Sequence, residues 1–136
     1  MSHTLKLEIV TPEGVVYSKD VDMVTLPALQ GQIGVLPRHI PLMTQILPGE
    51  MIARTGLHET FLAVGEGLVH ITGDRVSILT DMAVAAENID EAKAEEARQR
   101  AAARLREKVS DEEVASVNAA LARSLAQLNV KRRRRT

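Results

Sequence analysis

The chain has no cysteine and no tryptophan, a single tyrosine and a single phenylalanine, and neither glycine nor proline after Gly73. Without cysteine there is no disulfide scaffold, no thiolate nucleophile and no cysteine-ligated zinc; the absence also suits a reducing compartment. Two aromatic rings in 136 residues give no stacking platform for single-stranded nucleic acid. No stretch approaches the ~20 apolar residues of a membrane span. The opening MSHTLKLEIVTPEG lacks the basic, apolar and small-residue order of a secretory signal. The expectation is a soluble chain that meets a membrane only through a partner or a charged tail, with one core and a small appendage.

Catalytic signatures are missing as well. There is no G-x-x-x-x-G-K-[ST] phosphate loop, no G-x-G-x-x-G and no G-x-S-x-G elbow. Gly65-Glu66-Gly67 reads as a plain turn. His3, His39, His58 and His70 are scattered singly, none with a partner at metal-ligand spacing, so no metal site is expected. Asp20 and Asp22 suit a solvated strand face better than an acid/base dyad. The chain is not expected to be an enzyme.

The residues that are present divide into two halves. Residues 1–87 carry five basic against ten acidic groups, and residues 88–136 twelve basic against eight acidic. In the first half Leu5, Leu7 and Ile9 alternate with Lys6 and Glu8, the period of a half-buried strand, and Thr11-Pro12-Glu13-Gly14 supplies a turn. Short apolar runs follow at Val15–Tyr17, Val21–Leu26, Ile33–Leu36, Leu42–Leu47, Met51–Arg54, Glu59–Val64, Leu68–Thr72 and Val76–Thr80, with turn signals between them. That spacing predicts a β-sandwich of about ten short strands. Between Leu26 and Gly49 lie four prolines and three glycines but one formal charge, Arg38. Such a segment fits short strands bent at fixed points, with Val35, Leu36, Leu42 and Leu47 as core.

The second half predicts an antiparallel helical hairpin, so the organisation is 1–87 sandwich and 88–136 hairpin with a basic tail. Asn88 and Asp90 suit N-caps, acidic residues load the first turns, and Arg104, Arg106 and Lys108 favour the C-terminal end. Ala94, Ala97, Ala101, Leu105 and Val109 form a narrow small-residue face over a helix of about 90–108. Ser110-Asp111-Glu112-Glu113 reads as a capping box, with Glu113 reaching back. The second helix then carries a stripe of Val114, Val117, Leu121, Leu125 and Leu128. An alanine-lined seam buries little apolar area, so the hairpin should be weakly attached. Lys131–Arg135 reads first as a frayed, solvated terminus. The other readings of that run are contact with an acidic protein, anionic lipid or nucleic-acid phosphate.

The words Ile9-Val10-Thr11-Pro12-Glu13-Gly14, Val16-Tyr17, Leu26-Pro27-Ala28, Gly31-Gln32-Ile33-Gly34-Val35-Leu36-Pro37, His39-x-Pro41-Leu42-x-Thr44 and Leu47-Pro48-Gly49 closely resemble the ε subunits of F-type ATP synthases. Val76-x-Ile78-Leu79-x-Asp81 and Ile89-Asp90 extend the match over essentially the whole chain. The resemblance implies a non-catalytic rotor subunit of the central stalk. Its sandwich would dock on γ and the c ring, help couple ion-driven rotation to ATP synthesis, and require no cofactor. Its hairpin would fold down on the sandwich or extend along γ toward the α and β subunits and obstruct hydrolysis. The implied c-ring contacts are Gln30, Gly31, Gln32, Arg38 and His39, and an acidic β-subunit loop would meet Arg98, Arg100, Arg104, Arg106 and Arg123. The competing expectation for these arginines is pairing with glutamates on their own helix. The implied location is the cytoplasmic face of a bacterial inner membrane, ahead of a plastid thylakoid, with membrane association only through the complex.

Two departures stand out. Gln32 replaces a glutamate common in the family, which removes a charge from the loop expected to face the c ring. Some members bind ATP at I-D-x-x-R-A, where this chain has Lys93, and lysine lacks the planar fork of arginine. The swap weighs against regulatory ATP; its contacts, if bound, would be Ile89, Asp90, Lys93, Arg98 and Arg100. The alternative function is a nucleic-acid or anionic-surface binder using the basic half. The acidic first half and the missing aromatics argue against it, and no nucleic-acid partner is expected.

Overall fold

The computed structural model describes residues 4–107 and 110–134; His3, Lys108, Val109 and Arg135, invoked above, lie outside these residues. Ten strands come first: β1 (Leu5–Thr11), β2 (Gly14–Val21), β3 (Met23–Ala28), β4 (Gly31–Val35), β5 (His39–Ile46), β6 (Gly49–Thr55), β7 (His58–Val64), β8 (Gly67–Gly73), β9 (Arg75–Thr80) and β10 (Ala83–Ala85). A 3-10 turn (Ala86–Asn88) leads into helices α1 (Glu91–Leu105) and α2 (Asp111–Arg133). The expected fold, a β-sandwich followed by a helical hairpin, is the one observed.

The strands run in the order β10-β7-β6-β3-β5-β8-β9-β1-β2, with β4 attached to β3 alone. All pairings are antiparallel except β1 with β9. β3 and β5 meet only at Ala28 and Ile46, so the ribbon folds there into two layers. Alternation places Leu5, Leu7, Ile9, Val21, Val24, Leu26, Val35, Ile46, Met51, Val64, Val69, Ile71 and Val76 inside, each at 0 % exposure, and their burial against one another is the main stabilising term.

The run Val21–Leu26 is not one strand. The chain bends at Asp22, whose N–H donates to the Arg54 carbonyl at 2.7 Å and whose carboxylate accepts from the Gly56 N–H; these bonds turn the chain from β2 into β3. β10 went unforeseen because its three small residues show no alternation. Of the four residues assigned to the core of the proline-rich segment, only Val35 is buried. Leu36, Leu42 and Leu47 are 52 %, 37 % and 37 % exposed. Leu36 follows β4, an edge strand paired with β3 alone, and Leu42 follows an irregularity in the β5–β8 register.

Gly65-Glu66-Gly67 is more than a plain turn. A Cβ on Gly67 would lie 1.9 Å from the Leu79 carbonyl oxygen, and one on Gly65 would lie 1.7 Å from Asp81 Oδ1. Gly67 is required by close approach to the backbone at the end of β9, whereas Gly65 faces only the Asp81 side chain; neither takes a left-handed conformation.

Candidate functional site

α1 is capped by Asp90, which accepts from the Lys93 N–H at 3.1 Å, and α2 by Ser110, which accepts from Glu113 N–H at 3.2 Å. The second half of the expected capping box differs: the Glu113 carboxylate turns to Arg104 at 2.5 Å, because a guanidinium on the neighbouring helix is a stronger donor than a backbone N–H. α1 is shorter than expected and ends at Leu105. Ala94 and Ala101 are its buried residues, and small side chains there let α2 approach closely.

α2 has two working faces, which the single-stripe expectation missed. Leu128, 1 % exposed, belongs to the stripe expected against α1. On the other side Ala126 and Val130 pack with Ala63 and Ile89, flanked by Phe61, Met82, Val84 and Ala86. The hairpin therefore lies on the outer face of β10, β7 and β6 through the C-terminal half of α2, with α1 outermost. Leu125, placed in the expected stripe, is 41 % exposed. It sits between the two faces and lines an open groove of about 440 Å³ with Leu47 and Pro48.

Ion pairs reinforce this thin apolar seam. Arg123 Nη1 donates to Asp81 Oδ2 at 2.9 Å, Lys131 Nζ to the Ala86 carbonyl at 3.1 Å, and Arg132 to Glu91 at 2.9 Å and Glu95 at 3.5 Å. Arg133 and Arg134 both reach Glu50, at 3.2 Å and 2.7 Å, and the Arg134 guanidinium lies 3.9 Å from the Phe61 ring centroid. The basic run from Lys131 to Arg134 is therefore neither frayed nor a free polycation, and the nucleic-acid alternative loses its four most concentrated charges. No sequence signal marked Glu50 as their partner; Arg134 and Glu50 are 84 positions apart.

The arginines expected to meet an acidic partner have neighbours of their own. Arg98 donates to Glu95 at 3.1 Å, and this bond holds the Glu95 carboxyl at about 2 instead of 4.5. Arg104 contacts Glu113 and Glu107, and the bond to Glu113 first, then that to Glu107, raises its guanidinium above the usual value. Glu95–Arg98 and Arg104–Glu107 are spaced by three residues, and Arg104–Glu113 joins the two helices. Arg100 and Arg106 are exposed. Of the ATP-motif residues, Ile89 is buried under α2, Asp90 serves as cap, Lys93 is exposed, and Arg98 turns to Glu95.

The candidate c-ring residues do not share one loop. Gln30 lies in the turn before β4 and accepts from Thr44 Oγ1 at 3.2 Å, and Gly31 and Gln32 open β4. Arg38 and His39 lie beyond its other end. Arg38 has a left-handed backbone, φ 67°, fixed by its N–H donating to Asp74 Oδ1 at 3.0 Å. His39 Nδ1 is 2.6 Å from the Ile40 carbonyl oxygen. A body touching both groups must extend along β4.

Among the described residues nothing covers the outer face of the sheet opposite the hairpin. Register places Met43 beside His70, Leu68 beside Leu79, and Leu79 beside Val10. Met43, Leu68 and Leu79 are 64 %, 51 % and 57 % exposed around a groove of about 280 Å³ that Glu8 and Ser77 also line. An apolar patch of this kind marks a contact surface. Among the described residues no helix is long and apolar enough to cross a membrane, and no three His, Asp or Glu side chains are grouped to hold a metal ion.

Comparison with known proteins agrees with this architecture. Residues 4–86 match the family model "ATP synthase, Delta/Epsilon chain, beta-sandwich domain", and residues 87–132 match "ATP synthase, Delta/Epsilon chain, long alpha-helix domain". The chain is 42 % identical over 132 residues to the ATP synthase epsilon chain of Herpetosiphon aurantiacus, covering 96 % of each. It is 43 % identical over 131 residues to ATP synthase epsilon chain 2 of Syntrophotalea carbinolica, covering 96 % of this chain and 95 % of the relative. A chain in the Euglena gracilis mitochondrial ATP synthase structure shares the fold at TM-score 0.74 and 22 % identity, over 93 % of this chain and 79 % of that one. With its sandwich and hairpin both matched, the chain belongs to the ATP synthase epsilon chain family, as a non-catalytic subunit.

Proposed function

We propose that the chain is a central-stalk rotor subunit of an F-type ATP synthase that helps couple ion-driven rotation to ATP synthesis, and that its hairpin restrains ATP hydrolysis. The observation that carries this is the two-sidedness of the sandwich. One face is covered by a hairpin attached through half of one helix, and the opposite face exposes the apolar stripe Met43, Leu68 and Leu79. The stripe suits a fixed partner, which we assign as γ. The hairpin suits a movable element, because a thin seam leaves a gap of a few kcal/mol that partners can reverse.

The c ring is the partner assigned to β4 and its flanking turns, through Gln30, Gly31, Gln32, Arg38 and His39; the Euglena assembly includes a c-ring. For the extended hairpin the partner is the acidic β loop, met by Arg98, Arg100, Arg104, Arg106 and Arg123. The present carboxylate partners of Arg98, Arg104 and Arg123 would be exchanged for those of β. The domain division at 87/88 then separates the docking half from the regulatory half. The subunit would sit at the cytoplasmic face of a bacterial inner membrane, held there by the complex. Regulation in this scheme needs no nucleotide, since Asp90 is occupied in capping and Arg98 in a pair with Glu95; calorimetry with ATP, with Asp90→Ala as control, checks this.

Co-purification tests the rotor assignment. Leu68→Glu with Leu79→Glu should abolish recovery of γ, and removal of residues 88–136 should leave it intact. Full recovery of γ with the double glutamate variant would move the γ contact elsewhere.

A further inference from the structure

The last three residues of α2 and its C-cap Arg134 are consecutive cations, and between them they reach three places. Successive residues turn by ~100° about a helix axis, so Lys131, Arg132, Arg133 and Arg134 sample the whole circumference of the last turn. Lys131 reaches the 3-10 turn, Arg132 reaches Glu91 and Glu95 on α1, and Arg133 and Arg134 reach Glu50 on β6. Glu50 pairs across the strands with Ala63, which places its carboxylate on the outer sheet face beside the α2 seam. That side chain is 9 % exposed, against 58 % and 31 % for Arg133 and Arg134. The Glu50 hydrogen bonds raise the Arg134 guanidinium above its usual value, and Arg134 also lies on the Phe61 ring. The helical family model stops at Arg132, one residue before the pair that grips Glu50.

We propose that this last turn is an electrostatic latch, with Glu50 as its keeper, that fastens the hairpin to the sandwich. A carboxylate this enclosed depends on its partners. Releasing the two arginines leaves it to seek water, so the latch opens as a unit with the helix end. The apolar seam alone is thin, and the latch sets how often the hairpin leaves the sheet. The consequence for hydrolysis rests on the regulatory function proposed above, whereas the latch itself is read from hairpin position and stands or falls separately.

The test uses the full chain. Because the protein has no cysteine, Ala63→Cys, at a position 0 % exposed beneath Val130 and Ala126, provides a unique thiol covered by the hairpin. Where opening and closing are fast, its labelling rate by a small thiol reagent follows the open population. Glu50→Gln should speed labelling about tenfold, between the small effect of an exposed pair and the large effect of a buried one, and so should Arg133→Ala with Arg134→Ala. Added salt should accelerate labelling without Glu50→Gln and have less effect with it. Reversal of the pair by Glu50→Arg, Arg133→Glu and Arg134→Glu should restore slow labelling. A thiol at Ala53→Cys, inside the sandwich at 2 % exposure, should stay protected throughout, which separates undocking from unfolding. Rates within twofold of the parent in both Glu50→Gln and the double arginine variant would overturn the latch.

Discussion

Gly67→Ala should be among the most damaging single-methyl additions in the sandwich. Its Cβ would lie 1.9 Å from the Leu79 carbonyl oxygen and 2.8 Å from Leu79 C and Thr80 Cα. These are backbone atoms, which cannot rotate aside, and an ordinary contact requires a separation of 3.4–4 Å. The end of β8 must therefore part from β9 at the Gly67–Thr80 and Leu68–Leu79 pairs. Overpacking of this kind costs about 1–3 kcal/mol. Two strained ladder bonds at ~1 kcal/mol each bring the loss to roughly 3–5 kcal/mol, a large share of the ~5–15 kcal/mol that holds an ordinary domain. Gly73→Ala provides the comparison: at φ +55° with nothing within 4 Å, it costs only the ~1–2 kcal/mol of a left-handed backbone. The two costs differ by ~1–4 kcal/mol, so at ~4–8 °C per kcal/mol for a domain of this size thermal melts should place Gly67→Ala at least ~4 °C below Gly73→Ala. Equal melting temperatures would refute the close approach of β8 to β9.

Val130→Ala should loosen the hairpin without unfolding the sandwich: two buried methylene equivalents at ~0.8 kcal/mol each correspond to roughly 15-fold faster labelling of Ala63→Cys, with Ala53→Cys unaffected. Glu95 should titrate near 2 by NMR, and Arg98→Ala should move its midpoint back toward 4.5. Its folded value is depressed, so its contribution to α1 is complete above the ordinary carboxylate value and is lost as pH falls through 4.5 toward 2. A midpoint already near 4.5 with Arg98 present would show that the pair does not form. Ser110→Ala should lower hairpin stability by about 1 kcal/mol through loss of the α2 cap, measured as faster amide exchange in the first turn of α2.

How much could be read in advance differed by element. The alternation of Leu5, Leu7 and Ile9 and the turn Thr11–Gly14 mark β1 and β2 because both signals are local. The same holds for the caps Asp90 and Ser110, each three residues from the N–H it accepts. Leu125 was misplaced because helical periodicity assumes one buried face, and α2 serves both a helix and a sheet. Leu36, Leu42 and Leu47 looked like core because apolar character does not reveal which strand ends a layer. Glu50 was invisible as a keeper: nothing near Gly49-Glu50-Met51 indicates that a helix end from the far terminus lands there. The candidate c-ring residues were legible as a family pattern, but their division by β4 required the sheet topology.

The proposed role of the hairpin is that of a removable restraint on a rotor subunit. Its most direct test is ATP hydrolysis by the assembled head reconstituted with the full chain or with residues 88–136 removed. Removal should raise hydrolysis severalfold while assembly with γ is retained. Hydrolysis unchanged by removal, with assembly intact, would contradict the restraint.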